Sequence, residues 1–180
     1  MSGKYPDIGW LRHPEADVFD GMKIHHALAE YRFTTTHPAI GVDPGRRWGL
    51  SFLDDGILYA YWGTFPKVEH HQEYYGVVED FVRRWIPPKC RADVVMVEGP
   101  AYGEVFGQPL LEDIRLGFYQ GFKNRGYKVE YVSPQTARKV SLGNGRTKAS
   151  EIFLSIDKNA ADAAAICLYA GGFRIEDIHE

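Results

Sequence analysis

The chain has 180 residues, 44% of them hydrophobic and 25% charged, with a net charge of -3. That is one folded domain's worth of ordinary globular sequence, which excludes disorder throughout and a multi-domain machine. Two cysteines without CxxC spacing exclude a disulfide-framed secreted fold; no apolar run approaches the roughly 20 residues of a membrane span, and the opening MSGKYPDIGW has no hydrophobic leader, so a cytoplasmic location is expected.

In chain order, residues 1–38 read as an N-terminal extension. It holds one helix over about 20–32, with Met22, Ile24, Leu28 and Tyr31 as its apolar stripe, and a linker that ends at Pro38. The main domain spans 39–172. Residues 39–43 form a short apolar strand that ends in Asp43, ahead of Pro44-Gly45. Strands follow over 48–53 and 57–65, joined through the tight-turn signal Asp54-Asp55-Gly56. A helix over 69–86 carries Tyr74, Val77, Val78, Phe81, Val82 and Trp85 at helical spacing, and Pro87-Pro88 stops it.

Residues 93–98 are almost continuously apolar, the pattern of a strand buried on both faces. They too end in an acid, Glu98, before Gly99-Pro100. A helix over 110–124 and a strand over 127–132 come next. Ser133-Pro134 opens a short helix, which Gly143-Asn144-Gly145 breaks. Another helix starts near residue 147, and the last covers 159–169, ended by Gly171-Gly172; 173–180 are a short tail. The order β-β-β-α-β-α-β-α-α predicts an α/β fold. Its mixed five-stranded sheet starts with a three-strand antiparallel meander and continues α-β-α-β-α-α, with helices on both faces.

Charge is uneven along the chain. Residues 113–148 hold eight Lys/Arg against two Asp/Glu, so a basic face is expected on an otherwise acidic body. The chemistry-bearing acids are Asp43 and Glu98 at two strand ends and Asp162 within Asn159-Ala160-Ala161-Asp162-Ala163-Ala164-Ala165. An acid among alanines on a core helix is costly unless it is paired, protonated or holding a cation. If the first and fourth strands of the domain are neighbours, Asp43 and Glu98 project into one crevice, and the last helix can bring Asp162 there. Three carboxylates in one crevice repel. A divalent cation relieves that, and oxygen-only donors favour Mg²⁺ or Mn²⁺.

Plainer roles exist for each of these groups. Asp43 and Glu98 can be turn acids, Asp162 an acid in the field of a helix N-terminus, and Asn159 a helix cap. The pairs His25-His26 and His70-His71 are not expected to bind metal, because adjacent side chains on a helix point apart.

Four segments resemble the RuvC-type Holliday junction resolvases within the ribonuclease H-like nucleases. They are IGVDPG at 40–45, VVMVEGP at 94–100, SPQTARKVSLGNGRTKASEI at 133–152 and NAADAAAICL at 159–168. They come in the family's order, and the likeness covers about 39–172. The resemblance implies a homodimeric, metal-dependent endonuclease. It would cut two strands of a four-way junction symmetrically and leave 5′-phosphate and 3′-hydroxyl ends.

In that reading two ions about 4 Å apart activate water and stabilise the leaving alkoxide. Asp43 bridges them, Glu98 holds one, and Asp162 holds the other. Asn159 stands where the family has Asp or His; it is a neutral oxygen donor on the same helix face as Asp162, so weaker metal affinity or a preference for Mn²⁺ is expected. Lys148 resembles a lysine near the scissile phosphate, with Arg138, Lys139 and Arg146 as further DNA-binding cations. Tyr102 is the candidate for stacking on exposed base pairs. The face of the 110–122 helix that carries Leu111, Ile114, Phe118 and Phe122 is the candidate dimer interface. The rival functions are a non-catalytic nucleic-acid-binding protein on the same fold and a nuclease for other branched DNA or RNA–DNA hybrids.

Overall fold

The structure is a computed structural model that describes residues 8–12, 16–100, 108–146, 148–153 and 156–175. Their strands are β1 (Trp10–Arg12), β2 (Asp17–Phe19), β3 (Met22–Ala29), β4 (Ala39–Asp43), β5 (Arg47–Asp54), β6 (Ile57–Thr64), β7 (Val94–Glu98) and β8 (Val129–Val132). Their helices are α1 (Glu73–Trp85), α2 (Pro109–Asn124), α3 (Pro134–Leu142) and α4 (Lys158–Ala170), with a 3₁₀ turn at Ala149–Glu151. One mixed sheet holds the strands in the order β1-β3-β6-β5-β4-β7-β8, with β2 paired to β3.

The five strands expected between 39 and 132 all form. β4, β5 and β6 make the antiparallel meander, and β7 and β8 extend it in parallel beyond β4. The fold is α/β with helices on both faces. On one face, α1 and α2 pack over Ile40, Val42, Leu50, Val95 and Val97. On the other, α4 and α3 cover Ala39, Leu53, Met96 and Val132. A side chain's face follows from strand alternation, so Asp43 and Glu98 share the α4 side with Gly41 and Met96.

The expected helix over 20–32 is corrected: Met22–Ala29 is strand β3, antiparallel to β6 from Ile24↔Gly63 to Leu28↔Tyr59. The chain between Phe19 and Met22 turns on Asp20 and Gly21, both at positive φ (47° and 76°), just as Asp55 and Gly56 (48° and 75°) join β5 to β6. Asp-Gly adopts such a two-residue hairpin turn readily. β3 buries Met22 and Ile24 under α1, then Ala29 on the opposite side of the sheet. Its apolar residues therefore change face midway, and the sequence spacing imitates a helix. The Trp48 indole N–H donates to Met22 Sδ at 3.4 Å and ties β3 into the core.

The helix expected near 147 is reduced to the single 3₁₀ turn. Ser133 caps α3 as expected, accepting from the Thr136 N–H at 3.2 Å, and Pro134 takes the first helical position.

Candidate active site

Two glycines allow the site to form. A side chain on Gly41 would sit 2.3 Å from the Ala163 carbonyl and 2.4 Å from the Cys167 N–H; one on Gly49 would sit 2.1 Å from the Asn159 carbonyl. Helix α4 therefore lies directly on the backbones of β4 and β5. At that distance only small side chains fit beneath it, which accounts for the fully buried Ala160, Ala161, Ala163 and Ala164. Gly49 is the cross-strand partner of Asp43, so the close approach sets the first turn of α4 beside that acid. Asp157 caps this turn, its Oδ1 accepting from the N–H groups of Asn159 (2.8 Å) and Ala160 (3.4 Å). The capping role considered for Asn159 thus belongs to Asp157, and Asn159 lies two residues inside the helix.

Asp43 and Glu98 end the neighbouring parallel strands β4 and β7. Asp43 is 9% exposed, and Glu98 and Asp162 are half-buried. Burial pushes the Asp43 carboxyl well above the ordinary carboxylate range. The negative fields of Glu98, Asp162 and Asp157 add to that, while Lys158 opposes it. Burial also raises Asp162, against the lowering fields of Lys158 and Arg138. The crevice therefore gathers like charges in a low-dielectric place, the expected electrostatic setting for a bound cation. The donors are oxygens, a set suited to Mg²⁺ or Mn²⁺. Among the described residues, however, no three His, Cys, Asp or Glu side chains already stand close enough to hold one ion.

Sequence reasoning missed two residues here. Lys158, in the first turn of α4, supplies the positive field on both Asp43 and Asp162. Arg115, 6% exposed, donates from Nε to the Glu98 carbonyl at 3.0 Å and from Nη1 to Glu112 at 2.7 Å, and so fixes the end of β7. Its place on a helix gave no sign of this, because the carbonyl it holds is 17 residues away.

Of the expected DNA-binding cations, Arg138 reaches the crevice electrostatically. Lys139, Arg146 and Lys148 are exposed on α3 and the loop after it. That loop folds back on α3: a Cβ on Gly145 would stand 3.7 Å from Lys139 Cβ. Tyr102 lies outside the described residues. The basic face is smaller than the sequence implies. Arg115 is buried, and the Arg125 guanidinium donates to the carbonyls of Val82, Ile86 and Pro87.

The proposed dimer face on α2 is also corrected. Ile114, Phe118 and Phe122 are fully buried within the chain's own core, with Phe118 against Phe65. Cys167 is a core residue, its thiol pushed up to about 12 by burial. Among the described residues, no helix is long and apolar enough to cross a membrane.

No family model and no curated protein matches the sequence. Solved structures do match. A Thermus thermophilus RuvC structure aligns at 20% identity and a TM-score of 0.51, covering 73% of this chain and 92% of that one. T. thermophilus RuvC in complex with Holliday junction substrate aligns at 17% identity and a TM-score of 0.55, covering 74% and 91%. The strand order, the helices on both faces and these alignments agree that the fold of this chain is RuvC-like.

Proposed function

We propose that the chain is a metal-dependent endonuclease that cuts branched DNA, with the four-way junction as its substrate. The observation that carries this is the placement of Asp43 and Glu98 at adjacent parallel strand ends, with Asp162 acting on Asp43 from the helix above. The likeness to RuvC, one of whose structures holds a Holliday junction substrate, supports the choice of substrate.

Two Mg²⁺ or Mn²⁺ ions, when bound, supply an activated water and a stabilised leaving oxygen. The carboxylates of Asp43, Glu98 and Asp162, with the Asn159 amide oxygen, would hold them. Bound cations would offset the repulsion among these acids, which otherwise raises the Asp43 carboxyl. Lys158 and Arg138 oppose the negative charge of the crevice. Arg138, Lys139, Arg146 and Lys148 bind the phosphodiester backbone beside the acids, with Lys148 nearest the scissile phosphate; such contacts position the strand without reading its sequence. Tyr102 stacks on an exposed base pair at the crossover. A homodimer presents two such sites to a substrate with approximate two-fold symmetry and makes paired nicks that leave 5′-phosphate and 3′-hydroxyl ends.

A second reading, a non-catalytic junction-binding protein, is favoured by the neutral Asn159 and by the absence, among the described residues, of three acids or histidines gathered for one ion. Cleavage of a labelled four-way junction, a linear duplex, a Y-fork and an RNA–DNA hybrid in Mg²⁺, Mn²⁺ or EDTA separates the two. Paired, metal-dependent nicks in the junction, lost in Asp43→Asn, are expected. Tight junction binding without cleavage in either metal would establish the second reading instead, and cleavage of the hybrid alone would replace the substrate.

A further inference from the structure

The sheet face opposite the acid crevice carries a second feature that the nuclease reading does not use. Helix α1 ends at Trp85 because Pro87-Pro88 follow, so it stops short of covering the outer strands. A cavity of about 340 Å³ opens there, walled by Phe52 of β5, Tyr59 and Tyr61 of β6 and Trp85 of α1, with the exposed Asp17 and Asp54 beside them.

Tyr61 carries His26 flat against it at 4.6 Å and Trp85 carries Phe81 at 5.2 Å, but the wall rings cross one another. Tyr61 and Trp85 have centroids 5.1 Å apart at 78°, Phe52 and Tyr61 5.5 Å apart at 89°, and Phe52 and Trp85 6.4 Å apart at 57°. Such an arrangement makes the walls of a box. Among the described residues, no lysine or arginine lines it. Arg125, whose field reaches the Cys90 thiol at one side of the cavity, is tied to the carbonyls of Val82, Ile86 and Pro87. Neither Asp17 nor Asp54 forms a side-chain hydrogen bond or ion pair with a described residue. The Tyr61 phenol stays neutral, pushed up to about 12 by burial and by nearby Tyr59 and Asp17.

We propose that this cavity binds an organic cation, a quaternary ammonium or guanidinium head group. Aromatic faces carry negative quadrupole charge and attract such cations, and quaternary ammonium groups are commonly held in aromatic cages. Two uncommitted carboxylates at the opening add attraction of the same sign. They also repel phosphate, which disfavours a nucleic-acid strand laid across the rings. The site lies on the other side of the sheet from Asp43 and does not depend on metal or junction binding.

The test is a titration of the full chain followed through the Trp85 indole N–H resonance, assigned with Trp85→Phe. The probes are choline, arginine amide, a single-stranded oligonucleotide and dimethylbutanol, the uncharged shape-match of choline. A saturable shift with choline or arginine amide and none with dimethylbutanol is expected, and the cation that saturates the signal names the head group. The double variant Asp17→Asn/Asp54→Asn changes only exposed side chains and should weaken that binding about tenfold. An equal response to dimethylbutanol would reduce the site to an apolar pocket. A response to a single-stranded oligonucleotide alone would make it a stacking platform. No saturable shift from either cation, or unchanged affinity in the double variant, would overturn the proposal.

Discussion

Asp43 is a carboxyl held toward its neutral form, first by burial and then by Glu98 and Asp162. A carboxyl whose folded pKa is raised takes up a proton on folding. In EDTA, this carboxyl's contribution to stability is therefore greatest below the unfolded value of about 3.9 and declines as pH rises toward the raised folded value. Replacing Asp43 with Asn removes that penalty. We expect Asp43→Asn to be more stable than the parent in EDTA at pH 7 by more than about 1 kcal/mol, to lose the gain in melting temperature that Mg²⁺ or Mn²⁺ gives the parent, and to lose cleavage. Thermal denaturation with and without metal checks this. A less stable variant would mean that Asp43 is an ionised structural group. Asn159 tests the neighbouring position. Asn159→Asp adds a charged oxygen donor three residues before Asp162, so the Mg²⁺ concentration for half-maximal cleavage should fall severalfold. An unchanged metal dependence would remove Asn159 from the ligand set.

The decisive element is α4, seated on the bare backbone of Gly41 and Gly49. Alanine at position 49 places a methyl 2.1 Å from a carbonyl oxygen of the helix's first turn. Backbone cannot yield there as a flexible side chain can, so Gly49→Ala should cost about 3 kcal/mol in urea denaturation. It should also reduce cleavage beyond what the stability loss explains, because the shift moves Asp162 away from Asp43. A fully active, equally stable variant would show that the helix is not clamped at this point. At the other acid, Arg115 holds the last carbonyl of β7, so the two strand ends are fixed from opposite sides of the sheet.

For the whole molecule, the sheet continues past β6 into β3, which contributes Met22 and Ile24 to the core under α1. A chain that begins at residue 39 leaves β6 as a long edge with Tyr59, Tyr61 and Trp62 along it. Such edges pair with other chains. We expect the truncated protein to aggregate and to lose a cooperative unfolding transition, as read by light scattering and near-ultraviolet circular dichroism. A soluble, cooperatively unfolding truncate would make β3 a dispensable cover. The buried Phe118 face likewise assigns α2 to the protomer's own core, so the proposed homodimer must use another surface.

Much of this was legible in the residues. The alternation and length of the apolar runs determined β4 to β8 and the helices between them, because local backbone geometry imposes those periods. Acids ending two apolar strands, and an acid among alanines, pointed to the candidate crevice where Glu98 and Asp162 act on Asp43. Asp20-Gly21 makes the same hairpin as Asp55-Gly56, yet in the sequence it reads as the start of a helix, because the spacing of the residues after it hides a strand. β3 buries one face at its start and the other at its end, and only the two layers packed around it set where that change falls. Tertiary structure alone also decided that Asp157 rather than Asn159 caps α4, that Arg115 is tied to the Glu98 carbonyl and the Glu112 carboxylate and Arg125 to backbone carbonyls, and that the field of Lys158 reaches the acids. Each of these depends on which segments meet across the fold, and a pattern read along the chain carries no information about groups brought together from distant positions.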